Sequence, residues 1–450
     1  MWLATDRLKA MAGAAALGAG LLYALHAHPA DSGRAPTLDM AQQVALEKRE
    51  LRIFAMPQLQ AQLKLSTQTY RDSAPAKFPD GGKTLENAIR AIALASVQYA
   101  LVEDAARPQI MWVCNQPHDW GGVSVPGSGY GIDNPDNLYR WVAIDGQSRY
   151  EISGMRSGGG PAQESFTLYS AIPGTGEQNR EGSPVVGAIM DDRITFAADG
   201  SFTITIDGDA GGENHLQSKP GARLLIIRDT LTDWTRQFPN RLGIRRVSGP
   251  DVPPAPTDDQ LADRAAAILK ATAPFWLTYF GQTFGKPANT PEPPFTRAGG
   301  WGFASGGWFQ LKDDQALVVT LKPLGASYLG VQTADVWGVA PDYVHYTSSL
   351  TTTQAKPNAD GTYTYVLAPK DPKVWNWLDT EQLHSGLFTV RWQGVPASVT
   401  SAADAIVKAE IVQAADLRKA LPPGTVWVTP ADRDRQRADR AAAYALRLAH

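Results

Sequence analysis

The chain has 450 residues, 43% hydrophobic and 19% charged, with a net charge of −3 and a pI near 6.2. That length exceeds what one hydrophobic core serves, and an ordinary globular composition without a basic cluster excludes a nucleic-acid binder. A single cysteine, Cys114, excludes an intrachain disulfide and a site of several thiolates.

The chain opens with Arg7 and Lys9 ahead of an apolar stretch from Met11 to Ala27. A charged start and an apolar middle are the form of an export signal, and residues 1–30 are expected to be a signal or an anchor. Contact with a membrane is expected only there, and the rest of the chain outside the cytoplasm, in the periplasm or cell envelope. Residues 31–106 are expected to be helical. Thr37 and Thr84 are candidate caps, Pro57 interrupts, and Leu85, Ile89 and Ile92 share one helical face.

From residue 107 to 250 the texture changes to short alternating runs and Gly, Asp and Asn turns, the first β module. Phe202, Ile204 and Ile206 alternate with Thr203 and Thr205 after an Asp-Gly turn, a strand and hairpin signal. Residues 251–286 hold a Pro-rich linker and then a helix opened by Thr257 and Gln260 in a capping-box pattern, with Pro274 inside. Residues 287–396 form the second β module, and 397–450 are expected to be helices, the last capped by Thr429 with Pro430 at its first position.

One pattern occurs twice. Ala198-Asp199-Gly200-Ser201 matches Ala359-Asp360-Gly361-Thr362, Asn214 matches Asn376, and Arg228 matches Arg391. Phe166 pairs with Tyr328 at nearly the same spacing. The interval of roughly 160 residues is nearly constant, which marks one supersecondary unit used twice. The expected fold class is α+β and β-rich: two antiparallel β-sandwich or jelly-roll-like modules with N-terminal, inter-module and C-terminal helices. Turns too short for crossover helices favour antiparallel pairing.

Two segments resemble a known family. Asn134-Pro135-Asp136-Asn137-Leu138-Tyr139-Arg140 is one. The other holds Tyr328-Leu329-Gly330, Trp337, Asp360-Gly361, Asn376-Trp377-Leu378-Asp379, Gly386 and Arg391-Trp392. Together they resemble a bacterial family catalogued as domain-of-unknown-function family 1214, often found with a companion N-terminal β module. The resemblance implies β-rich modules and assigns no activity.

Candidate chemistry falls in two places. Asn134, Asp136, Asn137, Tyr139 and Arg140 form a rim of amides and a guanidinium beside aromatic rings, suited to holding a ligand. Trp377 and Arg391 extend that set. Asp379 and His384 are the candidate acid and base, because neither has a counterpart in the first copy. Arg228 and Arg391, being matched, are assigned to the scaffold. His118-Asp119 and Asp207-Gly208-Asp209 lack metal-ligand spacing, so no metal and no cofactor is expected. Cys114, in an apolar run, is expected to be a buried small hydrophobe.

The 13 tryptophans, several beside polar turns, suit stacking on a sugar ring. The leading expectation is therefore an envelope protein that holds a small or saccharide-like ligand between two modules. The alternatives are a cofactor-free hydrolase or lyase using Asp379 and His384, and an envelope structural or interaction protein.

Overall fold

The computed structural model describes residues 37–178 and 183–447. The export signal or anchor expected over 1–30 lies outside them, and among the described residues no helix is long and apolar enough to cross a membrane.

Helix α1 (Met40–Phe54) is capped by Asp39, whose carboxylate accepts from Gln42 N at 3.1 Å; Thr37 does not cap it. Pro57 opens α2 (Pro57–Arg71), where its missing N–H costs nothing. Helix α3 (Gly81–Val102) starts before Thr84, behind Asp80 in the left-handed region at φ 67°. Leu85, Ile89 and Ile92 are buried, as their shared face requires.

The first module contributes β1 (Met111–Val113), β2 (His118–Trp120), β3 (Val123–Val125), β4 (Asn137–Ala143), β5 (Arg149–Met155), β6 (Gln163–Tyr169), β7 (Val185–Met190), β8 (Ser201–Asp207), β9 (His215–Gln217), β10 (Leu224–Thr230) and β11 (Arg241–Ser248). A five-stranded sheet, β1-β4-β10-β6-β7, packs on a four-stranded sheet, β11-β5-β8-β9. Between them lie Val142, Ile152, Phe166, Leu168, Ile204 and Ile227.

Helix α4 (Asp258–Gly281) follows. The Thr257–Gln260 capping box is formed, with contacts of 2.9 and 3.3 Å. One core joins Leu46 and Ile53 of α1, Ile92 of α3 and Ile268 of α4 to Trp141 and Ile226 on the outer face of the five-stranded sheet and to Trp337 of the second module.

The second module has β12 (Phe295–Thr296), β13 (Phe303–Gln310), β14 (Gln315–Leu321), β15 (Tyr328–Ala334), β16 (Ser349–Thr351), β17 (Tyr363–Ala368), β18 (Trp377–Asp379), β19 (Ser385–Gln393) and β20 (Ile406–Gln413). Its sheets run β12-β13-β19-β15-β16 and β18-β17-β14-β20. Strand for strand this is the order of the first module, so the repeat read from the sequence is a repeat of topology. Gly200 and Gly361 turn at φ 84° and 81°, and Asp199 and Asp360 accept from the following Ser201 and Thr362 in the same way. Asn214 clasps Thr195 N and O at 2.7 and 2.8 Å; Asn376 clasps Lys356 N and O at the same distances.

Three expectations are corrected. Phe166 does not correspond to Tyr328: Arg228 sits opposite Ser165 and Arg391 opposite Gly330, which aligns Phe166 with Val331. Phe166 points into its sandwich, whereas Tyr328 leaves the opposite face. The second module runs past residue 396, because β20 pairs antiparallel with β14; β-branched Ile406, Val407, Ile411 and Val412 suit an edge strand better than a helix. Two pairings, β8–β9 and β17–β18, are parallel. Strand β9 begins opposite Thr205, so the loop retraces only about 7 Å and needs no crossover helix.

After α5 (Leu417–Ala420), helix α6 (Pro430–Arg447) begins at the Thr429 cap, which accepts from Asp432 N at 3.2 Å. Its arginines reach both modules. Arg433 donates to Asp371 at 3.1 Å, Arg440 to Tyr343 O and Ser349, and Arg447 to Pro135 O at 2.6 Å. Trp234 of the first module lies between the guanidinium groups of Arg440 and Arg447, at 4.4 and 4.8 Å.

Candidate functional site

Strand alternation sends every second side chain of β4 and β10 out of the first sandwich. On β4 those are Tyr139 and Trp141; on β10 they are Ile226 and Arg228. The outward residues at the matching positions of β13 and β19 are Ala304, Gly306, Thr389 and Arg391, since Arg228 faces Tyr139 and Arg391 faces Ala304. Rings on one module and small residues on the other leave a cavity of about 630 Å³ at the junction. Trp276, Tyr279 and Phe280 from the end of α4 close one side, with Trp276 stacked on Phe280 at 5.4 Å. Trp301 and Tyr169 complete the aromatic wall.

Arg228 is half-buried in that wall. Its guanidinium lies 4.5 Å from the Trp301 ring centre, 5.6 Å from Tyr139 and 5.7 Å from Tyr169. Nη2 donates to the Tyr169 hydroxyl at 3.2 Å, while Nη1 is sealed from solvent with no hydrogen-bond partner. Arg391 is fully engaged: its two terminal nitrogens donate to Gln332 Oε1 and to Ile132 O. Burial pushes the Asp133 carboxyl up to about 7, and the Arg391 charge opposes that rise. Burial also raises the Cys114 thiol, so this lining residue is a neutral small hydrophobe.

The proposed rim is split by the pleat. Asn134, Asn137 and Tyr139 line the cavity together with Arg391. Arg140, one residue on, points into the first sandwich, where it pairs with Asp229 and donates to Asn240 O at 2.6 Å. Asp136 is a joint between modules, accepting from Tyr328 at 2.8 Å and from Trp234 at 2.9 Å. Trp377 lies under α6, with Arg433 at 4.9 Å from its ring, and does not line the cavity.

Asp379 and His384 are not brought together. Asp379 accepts from Arg437 at 2.9 Å, and burial raises its carboxyl. His384 bridges Asp80 at 2.7 Å and Asp313 at 3.0 Å, and those two carboxylates raise its pKa. Neither residue lines the cavity. Among the described residues no cluster of three or more His, Cys, Asp or Glu has the arrangement to hold a metal ion. Arg228 and the α4 aromatics are the residues that sequence reasoning passed over. The match of Arg228 with Arg391 argues for scaffold, and the run Phe275, Trp276, Tyr279, Phe280 has no charged neighbour to mark it.

Fold and site together define a duplicated β-sandwich protein, its two copies closed around a junction cavity by helices. No family model matches the chain, and no curated protein matches it. Among solved structures it is similar to an uncharacterized protein from Burkholderia cenocepacia, at 22% identity and a TM-score of 0.65, over 82% of this chain and 100% of that one. The likeness shows a shared fold. A weaker likeness is to the VPA0106 protein from Vibrio parahaemolyticus, at 12% identity and a TM-score of 0.38, over 63% of this chain and 90% of that one.

Proposed function

We propose that this is an exported protein of the cell envelope that binds a small, ring-bearing ligand, saccharide-like in size, in the cavity between its modules. The observation that carries the reading is the asymmetry of the walls: Tyr139 and Trp141 on one module face Ala304 and Gly306 at the matching positions of the other. Room beside flat rings, with a few directed polar groups, is the usual composition of a small-molecule site. Export rests on the charged and then apolar opening of the chain. The hydrolase or lyase reading has no supporting contact, since Asp379 and His384 bond to other residues.

Thermal-shift titration of the full chain with a panel of mono- and disaccharides and substituted aromatic rings tests the reading. A binder at about 100 times its Kd stabilises by about 2.7 kcal/mol, a readily measured rise in Tm. Ala304→Tyr, which fills the void with the ring found at the matching position of the first module, should abolish the rise. A flat response across the panel removes the binding function. An unchanged response in folded Ala304→Tyr moves the ligand elsewhere.

A further inference from the structure

The polar groups left open in the cavity wall are unequal in kind. Arg228 Nη1, Trp276 Nε1 and Gln393 Nε2 are donors sealed from solvent without a partner; Thr389 Oγ1, Gln393 Oε1 and both Asp133 carboxylate oxygens are sealed likewise, and burial keeps the Asp133 proton in place to about pH 7. A buried donor left unpaired costs about 1–3 kcal/mol, and more when it is charged. The other lining cations are engaged: Lys286 pairs with Glu292 at 2.5 Å, Arg297 lies over the Trp301 ring at 5.0 Å, and Arg391 spends its terminal nitrogens on Gln332 and Ile132. Arg228 makes no ion pair among the described residues; the faces of Trp301, Tyr139 and Tyr169 stand where a carboxylate would otherwise stand. Ring faces stabilise a guanidinium but leave its N–H edge unsatisfied.

We infer that the ligand carries one carboxylate, held by Arg228 Nη1, with its ring against the aromatic wall. This rests on the cavity reading above and narrows it to a class, the ring-bearing monocarboxylic acids. A single open cation matches a single negative charge. A phosphoryl dianion calls for the several donors of an arginine cluster or a helix N-terminus, and the wall presents neither. The Trp276 indole N–H is placed in the same wall to donate to a second acceptor of the ligand. The guanidinium carbon lies 4.5–5.7 Å from the centres of three rings, a cage that limits where the cation can move.

Calorimetric titration of the full chain at pH 6 with benzoate, benzamide and phenylphosphonate tests this. Benzoate should bind at least 10-fold more tightly than benzamide, and no more weakly than phenylphosphonate. In Arg228→Gln the benzoate affinity should fall about 10- to 100-fold, the range of a charge-assisted hydrogen bond, with benzamide unaffected. Arg228→Lys keeps the charge without the planar fork and should fall between. Equal binding of acid and amide, or an undiminished preference in folded Arg228→Gln, overturns the carboxylate assignment and leaves the cavity reading standing. A 10-fold preference for phenylphosphonate overturns it in favour of a phosphoryl group. No binding by any of the three, with the broader ring panel also flat, removes both inferences.

Discussion

Arg228 and Arg391 occupy the same place in two copies of one sheet, at the outward face of its central strand. Arg391 has become a fastener. It ties β19 to Gln332 on its own sheet and to the Ile132 carbonyl of the other module. Arg228 leaves one terminal nitrogen without a hydrogen-bond partner in a cage of rings. The neighbours diverged in step: Tyr139 and Trp141 on β4 stand where β13 has Ala304 and Gly306. A duplicated framework therefore supplies a cation twice, and the second copy's smaller side chains leave the space beside the first copy's cation. The inner faces, where Val142, Phe166 and Ile227 pack in one copy and Val331, Phe388 and Val390 in the other, kept their apolar character.

The sharpest way to break this comparison is to truncate both arginines. Arg391→Met strands two buried oxygens and removes two charge-assisted hydrogen bonds, an expected loss of roughly 3–6 kcal/mol by denaturant unfolding. Arg228→Met removes one bond to a tyrosine hydroxyl and a sealed charge, with an expected loss of about 1 kcal/mol or less. Equal losses would make Arg228 a fastener too.

The second measurement is the pH dependence of stability. Asp133, packed among Arg391, Cys114, Tyr130 and Tyr139, holds its proton to about pH 7 when folded. Unfolded, it releases that proton near pH ~4. Its stabilisation is thus complete below pH ~4 and lost as pH rises through about 7, at most about 4 kcal/mol. Half-buried Glu381, raised to about 8, and buried Asp335, raised to about 6, add slope of the same sign. Asp133→Asn should flatten the curve between pH 4 and 7 by Asp133's share; an unchanged curve would place this carboxyl in contact with solvent.

The smallest effect concerns the two asparagine clasps. Asn376 adds a third bond, to Thr364 O at 2.9 Å, and is buried, whereas Asn214 is half-buried. Asn376→Ala should cost about 2 kcal/mol and Asn214→Ala about 1 kcal/mol. Equal costs would show that the two clasps never diverged.

What was legible in the sequence was local. Asp-Gly turns, the Asn clasps and the Thr257 and Thr429 caps each depend on residues a few positions apart, so spacing reveals them. The sheet partners of β20 and the parallel pairs are set by which strand edge stands free after folding, and no short window records that. The cavity was legible only as a place, the junction of two modules. Its lining comes from α3, α4, β4, β6, β10, β12, β13, β19 and the loops between, so its chemistry has no motif. Residues 134–140 illustrate the boundary: the polar cluster was visible, but the pleat gives Tyr139 to the cavity and Arg140 to the interior.

Helix α6 also constrains how the molecule is made. Its guanidinium groups reach Asp371 and Ser349 in one sandwich and the Pro135 carbonyl and Trp234 in the other. Both sandwiches precede it in the chain, so each emerges from the ribosome and gathers its own strands before this helix exists. Until it docks, the two halves are a nascent pair without their rivet, and the geometry of the space they enclose is completed only after both sandwiches have been made.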